Sequence, residues 1–295
     1  MTEMNEEHFE VISRNKAKSF EAKKTMTNMN DFHNNKAKVM LVDGDLLAYK
    51  ITSSLEEPID WGNDVWTLHS DLAKGKQLWK QSIAHYLEKT SSKDVIVAFS
   101  DKVNFRKSLD STYKSHRKGI RKPLCYAPLR KWIEETHKCE IFTALEGDDV
   151  LGLLATGKYK NNNVIVSGDK DMRTIPTWHC FIIDDSIEYV DEQKADYNFC
   201  KQVLTGDASD GYSGCRGVGE VKASRVLLDR KTIDELWEAV CSEYHRNGYD
   251  VADAYHQGRL ARILRDGEYN YKTKQIILWR THGMYKNSRP SKKAS

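Results

Sequence analysis

The fold is decided by the stretch Val39-Met40-Leu41-Val42-Asp43-Gly44-Asp45, in which four apolar residues run into two acids separated by a glycine. Two more apolar runs, residues 95–99 and 164–166, lead in the same way to Asp101 and Asp169. A buried carboxylate is costly unless it is paired or bound to a metal. Acids at the ends of apolar runs therefore indicate a metal site assembled from distant parts of the chain.

Short apolar runs of this kind alternate with longer amphipathic stretches. Residues 66–90 carry apolar side chains at helical spacing and are predicted to form a helix. The alternation predicts an α/β fold with a mostly parallel sheet, in which ligands bind beyond the carboxyl ends of the strands. From Tyr197 onward the pattern predicts an all-helical lobe, with a glycine cluster between Gly206 and Gly219 and helices near residues 233–244 and 251–264.

Composition sets limits on the class of protein. The chain has 295 residues, a formal net charge of only +3 and six cysteines without a Cys-x-x-Cys pair. No apolar run approaches the ~18 residues of a membrane span, so we expect a cytosolic protein with reduced thiols and no membrane partner. Carboxylate oxygens, without the histidine and cysteine spacings of zinc sites, favour magnesium or manganese. Residues 1–36 and 281–295 are predicted to be a disordered polar extension and a disordered basic tail.

Nine carboxylates form five clusters along the chain. They are Asp43; Asp101; Glu146, Asp148 and Asp149; Asp169 and Asp171; and Asp207 and Asp210. Each cluster alone has a structural explanation, such as a turn, a helix cap or helix N-terminal charge. Together, at the ends of successive strands, they favour a phosphoryl-transfer site with two ions about 3.5–4 Å apart.

The segment from Lys102 to Tyr126 is strongly basic. It holds eight Lys or Arg residues against the single acid Asp110, interleaved with three aromatic residues. Such a run is usually a solvated face, but its position directly after Asp101 favours a nucleic-acid channel, in which aromatic rings stack on bases. The cations are Lys102, Arg106, Lys107, Lys114, Arg117, Lys118, Arg121 and Lys122.

The stretch Gly217-Val218-Gly219-Glu220-Val221-Lys222 opens a predicted helix. Its glycines could simply supply the positive φ of a connecting turn. Backbone N–H groups at a helix start also bind phosphate, and Lys222 would add charge.

In order and spacing these motifs resemble the flap endonuclease/5′-nuclease family, and within it the 5′→3′ exonucleases of short-tailed bacteriophages. The matching elements include Phe99-Ser100-Asp101, Tyr113-Lys114-Ser115-His116-Arg117, Leu145-Glu146-Gly147-Asp148-Asp149, Ser167-Gly168-Asp169-Lys170-Asp171 and Gly206-Asp207-Ala208-Ser209-Asp210. The likeness runs from about Val39 to Arg280. It implies a PIN-like catalytic domain over 37–195, with residues 102–126 as its arch. A helical DNA-binding lobe with a helix–hairpin–helix-like (helix-three-turn-helix) element would span 196–280.

The resemblance also implies roles for individual residues. A first metal would be held by Asp43, Asp101, Glu146, Asp148 and Asp149, and a second by Asp169, Asp171, Asp207 and Asp210. Lys114 and Arg117 would act on the scissile phosphate. Further DNA contacts would come from Tyr113, Lys50, Arg106, Lys118, Arg121, Gly217, Gly219 and Lys222.

The expected activity is 5′→3′ hydrolysis of double-stranded DNA with two Mg²⁺ ions, for which Mn²⁺ would substitute. Flaps and RNA–DNA hybrids are further substrate classes, and the expected protein is a monomer. Two alternatives stay open at this point. The pair Asp43 and Asp45 would also suit a haloacid-dehalogenase-type phosphatase, although Leu46-Leu47 stands where that class has Gly-Thr. A non-catalytic DNA-binding protein on the same scaffold is the other alternative.

Overall fold

The computed structural model describes Phe32 and residues 38–281. Ten strands occur in this part of the chain, six of them in one sheet with the order β5-β4-β1-β6-β7-β8. The strands are β1 (Val39–Asp43), β2 (Glu57–Asp60), β3 (Trp66–His69), β4 (Asp94–Ala98), β5 (Cys139–Glu140), β6 (Asn163–Ser167), β7 (Thr177–Phe181), β8 (Ile187–Val190), β9 (Tyr269–Asn270) and β10 (Gln275–Ile276).

Helices cover both faces of this sheet and form most of the last third of the described chain. They are α1 (Gly44–Ser53), α2 (Leu72–Thr90), α3 (Arg106–Leu109), α4 (Tyr126–Thr136), α5 (Gly147–Thr156), α6 (Glu192–Thr205), α7 (Glu220–Val226), α8 (Ile233–Arg246) and α9 (Val251–Ala261). No helix in the described residues has the length and apolar character that a membrane crossing requires.

The central strands are parallel, and their sequences explain why. Val39 of β1 pairs with Asp94 of β4 on one side and with Asn163 of β6 on the other. All residues of β1 and β6 are buried, as expected of strands covered on both faces, which favour continuous apolar runs. Within the six-stranded sheet, only β8 pairs antiparallel to its neighbour. The prediction of a mostly parallel sheet with flanking helices is confirmed.

Parallel register brings the carboxyl ends of β1, β4 and β6 to one edge. Gly44 is needed there, because helix α1 starts directly against the neighbouring strand. A Cβ atom on Gly44 would lie 2.6 Å from Val97 Cγ1 and 2.8 Å from the carbonyl oxygen of Ala98. The glycine between the two acids therefore serves close packing and fixes the direction in which α1 leaves the sheet.

Part of the helix prediction for residues 66–90 is wrong. Helix α2 begins only at Leu72, because the Asp71 carboxylate accepts hydrogen bonds from the N–H groups of Ala73 and Lys74 and caps it. The preceding residues form the antiparallel hairpin β2–β3, which is exposed along both strands. Apolar residues at helical spacing continue across that boundary, which is why periodicity placed the helix start too early.

Two further boundaries differ from the sequence predictions. Helix α6 starts at Glu192, so the predicted domain boundary at 195/196 falls inside a helix. The last third is not all-helical, because helix α9 ends at Ala261 and the short hairpin β9–β10 follows. Ile263 and Leu264 pack in one core cluster with sheet residues such as Leu41, so the C-terminal segment returns to the six-stranded sheet.

The N-terminal prediction can be judged at one residue. Phe32 is buried against Trp178, with 4.7 Å between the ring centroids, and belongs to the core on one face of the sheet. At Phe32 the prediction of a disordered extension is therefore wrong. The rest of residues 1–36 and the predicted tail after Thr281 lie outside the described residues.

Candidate metal centre and nucleic-acid interface

Acids from three separate chain segments line one small cavity of about 20 Å³ at the carboxyl edge of the sheet. The acids in its wall are Glu146, Asp148, Asp169, Asp171 and Asp210. Asp148 lies in the first turn of α5, Asp169 and Asp171 follow β6, and Asp210 follows α6. The structure thus brings these acids together at one edge of the sheet.

Asp43 adjoins this group from the end of β1. Its Oδ1 accepts a hydrogen bond from the N–H of Leu46 (3.0 Å), and its Oδ2 accepts one from the Ser167 hydroxyl (2.7 Å). Burial raises its pKa to about 6, and the negative charges of Asp45 and Asp169 add to that increase. Ser167 was not among the predicted site residues, although it belongs to the quoted motif that ends at Asp171.

Three of the cavity carboxylates resist ionisation. Burial is the main cause and nearby carboxylates add to it. Asp43 and Asp169 raise the pKa of Asp148, and Asp210 raises that of Asp169. The pKa of Asp171 rises to about 7, where the charges of Asp169 and Asp207 add to burial. Like charges held this close are stabilised by a cation, which is the electrostatic character of a carboxylate metal site.

Two buried polar atoms in the cavity wall have no hydrogen-bond partner within the described chain. They are Gln202 Oε1 and the Tyr212 hydroxyl. Orphaned polar atoms are rare in folded proteins, and beside a carboxylate cluster they suit a hydrated ion. Sequence reasoning missed both residues, because Gln202 lies inside helix α6 without any motif and Tyr212 carries no signal of its own within the glycine cluster.

Lys114 supplies the positive charge in the present conformation. Its Nζ lies 2.7 Å from Glu146 Oε1 and 3.3 Å from Asp210 Oδ2. Burial favours the neutral form of the Lys114 amine, but the two carboxylates outweigh burial and raise its pKa. Within the described residues, no three acidic, His or Cys side chains are arranged to hold an ion as they stand. The Lys114 amine therefore neutralises Glu146 and Asp210 in this conformation.

Asp210 anchors the arch segment around Lys114. The Lys114 backbone N–H donates to the Asp210 carbonyl (2.8 Å), and Lys114 adopts a left-handed conformation with φ 52°. Arg117 donates to the Ser209 carbonyl (2.8 Å) and to Asp210 Oδ1 (3.1 Å). Both residues predicted to act on the phosphate therefore lie at the acidic cavity.

Tyr113 does not have the predicted role in this conformation. Its side chain is buried, and its hydroxyl lies 3.0 Å from Glu146 Oε2 and 2.9 Å from Asp210 Oδ2, to either of which it can donate its one proton. A ring packed in this way cannot stack on a base. The prediction of a stacking contact is wrong for this arrangement, because two carboxylates bind the hydroxyl and draw the ring inward.

Asp101 lies apart from the cavity. Its Oδ1 accepts from the N–H of Lys102 (2.7 Å) and its Oδ2 accepts from the N–H of Ala144 (2.8 Å). Both oxygens thus shape the loops that follow β4 and β5. The structure does not bring Asp101 together with the acids that line the cavity.

Asp149 and Arg106 also depart from their predicted roles. Asp149 is completely buried, and its two oxygens pair with the Arg106 guanidinium at 2.7 and 2.8 Å. Arg106 is only 2% exposed. A direct DNA contact for Arg106 is wrong for this conformation, and Asp149 has no oxygen left for a metal ion.

Asp207 is buried at the end of α6. Its Oδ1 accepts from the Ser209 N–H (2.7 Å), and its Oδ2 lies 3.4 Å from Lys170 Nζ. Burial raises its pKa, but the hydrogen bonds from Ser209 and the charge of Lys170 outweigh burial and hold it below the usual value. Asp207 thus stays ionised beside Asp171.

The other predicted DNA contacts are exposed at separate places. Lys118 is exposed in the arch, and Arg121 pairs with both oxygens of Glu56 at 2.6 and 2.7 Å. Lys50 is exposed on α1, with its amine 3.4 Å from the Ile182 carbonyl. Gly217 and Gly219 are exposed before α7, and Lys222 lies 2.7 Å from Glu243. Their contact with DNA stays a prediction.

The raised pKa of Asp171 predicts a pH-dependent stability. In the unfolded chain the group titrates near pH ~3.9, whereas in the metal-free fold it retains its proton up to about pH 7. This stabilisation is complete below the unfolded pKa and is lost as pH rises through the folded pKa. Replacing Asp171 with Asn should remove the loss, so that the metal-free variant gains about 3 kcal/mol relative to the parent between pH 4.5 and 7.5.

Urea unfolding in EDTA across this pH range measures the difference. Asp64→Asn is the matched control, because Asp64 lies exposed in the turn of the β2–β3 hairpin at φ 62°, a conformation that Asn tolerates. Parallel pH profiles for the parent and Asp171→Asn would contradict the mutual repulsion described for the cavity.

Comparison with known proteins identifies the family of this chain. A family model described as the 5′-3′ exonuclease, N-terminal resolvase-like domain matches residues 38–200. The chain is 31% identical over 279 residues to the exonuclease of Escherichia phage T7, which covers 82% of this chain and 93% of the phage protein. It is also 31% identical over 278 residues to the exodeoxyribonuclease of Enterobacteria phage T3, a match that covers 82% of this chain and 92% of the T3 protein.

A solved structure supports the fold. The flap endonuclease of bacteriophage T5, in a pseudo-enzyme-product complex with DNA and metal ions, superimposes with a TM-score of 0.57 and 14% identity, covering 76% of this chain and 88% of that one. The family match extends over more than half of the sequence and includes β1, β4, β6 and α5. The chain belongs to the 5′-3′ exonuclease family, and it is a 5′-3′ exonuclease.

Proposed function

We propose that the acidic cavity binds two Mg²⁺ ions, for which Mn²⁺ substitutes, and that the enzyme uses them to hydrolyse phosphodiesters of double-stranded DNA from its 5′ ends. The observation that carries this proposal is the cavity itself, where converging carboxylates have raised pKa values beside two orphaned polar atoms. The related T5 enzyme was crystallised with both DNA and metal ions.

The structure modifies the ligand sets that the resemblance implied. Asp43, Glu146 and Asp148 would hold the first ion, and Asp169, Asp171, Asp207 and Asp210 the second, partly through water. Asp43 and Asp207 are retained because their charges act on Asp148 and Asp171. Asp101 is left out because it lies apart from the cavity, and Asp149 because Arg106 and two backbone amides surround both of its oxygens. When bound, the ions activate water and neutralise charge that develops on the phosphate.

The chain's own cations would position the phosphate. Lys114 and Arg117 contact Glu146 and Asp210, so a small displacement brings both from these carboxylates to a phosphate held over the cavity. Cationic donors fixed in a site of this kind stabilise the negative charge of the transition state. The basic arch around them, with Lys118 and Arg121 exposed, would attract the polyanionic substrate.

The geometry argues against a phosphatase with Asp43 as nucleophile. That mechanism requires an exposed carboxylate oxygen that phosphorus can approach. Asp43 is 4% exposed, and both of its oxygens accept hydrogen bonds, from Leu46 and Ser167. A non-catalytic DNA-binding role would leave the converging carboxylates without a function.

The proposed biological setting is DNA replication of a phage, with host DNA breakdown and primer removal in the host cytoplasm, by a monomeric enzyme. One assay tests the substrate preference. Blunt, nicked, flapped and RNA–DNA hybrid duplexes, each labelled at the 5′ end, are incubated with Mg²⁺. We expect 5′-phosphorylated mononucleotides or short products from the blunt and nicked ends. Hydrolysis of a small phosphate ester with no cleavage of any duplex would contradict the proposed function.

A further inference from the structure

We propose that Arg106, together with Asp149, is a positioning residue that sets Glu146 at the edge of the acidic cavity and ties it to the C-terminal segment 260–264. The proposal rests on the proposed function of that cavity as a metal centre. It assigns to the pair neither of the roles that sequence suggested, contact with DNA for Arg106 and metal ligation for Asp149.

The guanidinium of Arg106 uses all five of its N–H donors inside the protein. Nε donates to the Leu260 carbonyl (2.9 Å), and one N–H of Nη2 donates to the Arg262 carbonyl. The other Nη2 donor and one Nη1 donor bind the two oxygens of Asp149. The last Nη1 donor reaches Glu146 Oε2 at 3.2 Å. A guanidinium with five donors in a planar fork has no capacity left for a phosphate.

Asp149 is equally committed. Besides the two bonds from Arg106, its Oδ2 accepts from the backbone N–H of Glu146 (3.2 Å) and its Oδ1 from the backbone N–H of Leu264 (3.1 Å). The carboxylate therefore joins the first turn of α5 to the segment that follows α9. It holds the backbone of Glu146, while Arg106 holds the side chain of the same residue.

The backbones that this pair connects are in close contact. Gly152, one turn further along α5, faces the Leu264 carbonyl so closely that a Cβ atom would lie 2.3 Å from the oxygen. This close packing fixes helix α5 against the C-terminal segment. The hydrogen bonds of Arg106 and Asp149 stabilise the contact at the N-terminal end of α5. A shift of the C-terminal segment would move Glu146 and change the cavity.

Glu146 needs such support, because burial and the neighbouring positive charges have opposite effects on its carboxylate. Burial raises its pKa, but the charges of Arg106 and Lys114 outweigh burial and keep the group ionised. Its Oε2 accepts from Arg106 and Tyr113, which leaves Oε1 directed at Lys114 in the cavity. When Lys114 leaves, Oε1 is presented in a fixed orientation to an incoming cation. Partners that orient a ligand in this way contribute to metal affinity.

The decisive variant is Arg106→Lys, which retains the positive charge but loses the planar fork. We expect Mn²⁺ affinity, measured by titration calorimetry without DNA, to fall about tenfold, and the single-turnover cleavage rate to fall by a similar factor. Affinity for duplex DNA in EDTA should stay unchanged. A plot of the logarithm of the DNA-binding constant against the logarithm of the salt concentration should also keep its slope. A lost phosphate contact would reduce the magnitude of that slope by about 0.9.

Arg265→Lys is the matched control for nonspecific destabilisation. Arg265 is also buried and binds an acid, Asp196 (2.7 Å), and a carbonyl, that of Thr174 (2.7 Å), away from Glu146. It should lose comparable thermal stability and keep its Mn²⁺ affinity. If both variants lose Mn²⁺ affinity equally, Arg106 acts only through general stability and the inference is overturned.

If Arg106→Lys does not fold, a second variant still tests the proposal. In Arg106→Met/Asp149→Leu the whole buried ion pair is replaced by apolar side chains, so that no unpaired charge is left, although the backbone groups bonded to the pair lose their partners. We expect this variant to fold and still lose Mn²⁺ affinity. Parent-like Mn²⁺ affinity in a folded Arg106 variant, with a reduced salt slope, would overturn the positioning role in favour of a DNA contact. Absence of Mn²⁺ binding by the parent would overturn the proposed function, and this inference with it.

Discussion

Replacing Asp148 with asparagine is expected to reduce metal-dependent cleavage at least about a thousandfold, a loss of roughly 4 kcal/mol of transition-state stabilisation. Asp148 lines the cavity, and its carboxylate is close enough to Asp43 and Asp169 for the charges of both to act on it. Asparagine has nearly the same shape but lacks the negative charge. The variant should fold at least as well as the parent in the absence of metal, because it relieves the repulsion that raises the pKa of Asp148.

The measurement is single-turnover cleavage of a 5′-labelled duplex at saturating Mg²⁺, together with DNA affinity in EDTA. Asp101→Asn is the informative comparison, because the resemblance makes Asp101 a ligand whereas the structure places it outside the cavity. It should retain activity within about tenfold of the parent. Full activity of Asp148→Asn, or equal losses in the two variants, would contradict the proposed ligand set.

Replacing Lys114 with alanine should lower the single-turnover rate about 100- to 1000-fold, the usual cost of losing one donor to a developing negative charge. Metal affinity should change in the opposite direction. The Lys114 amine now neutralises Glu146 and Asp210, and its removal frees both carboxylates for an ion. We therefore expect tighter Mn²⁺ binding combined with slower chemistry, which general damage to the site would not produce.

Lys118→Ala is the matched control for the loss of an arch cation. Lys118 is exposed, and its backbone N–H donates to the Ser115 carbonyl. It should change the salt dependence of DNA binding while leaving the rate at saturating DNA within about twofold. An unchanged rate in Lys114→Ala, or weaker Mn²⁺ binding, would exclude the dual role of Lys114.

The sheet and the position of the site could be predicted from sequence because one physical rule connects them. Buried parallel strands read as apolar runs, and an acid such as Asp43 or Asp169 at the end of a run must lie at the carboxyl edge. That argument places whole segments. It fails for the direction of individual side chains, because neighbours in space decide it. Asp148 and Asp149 are adjacent in sequence, yet one faces the cavity and the other faces Arg106.

The charge of the basic segment does not by itself predict which of its residues are exposed. Arg106 and Lys118 look alike in sequence, but the first is buried beneath the arch and the second is exposed. The difference comes from Asp149 and two carbonyls of the C-terminal segment, more than 150 residues away. Gln202 and Tyr212 gave no signal, since an orphaned polar atom can be identified only in the folded chain.

The central claim is that the carboxylates at this edge form a two-ion centre. Anomalous scattering from crystals of the protein grown with Mn²⁺ tests it most directly. We expect two peaks in the acidic cavity about 3.5–4 Å apart, one beside Asp43 and Asp148 and the other beside Asp171, with Lys114 displaced from Glu146. The absence of manganese among these carboxylates at saturating concentration, with Lys114 still paired to Glu146, would contradict the account.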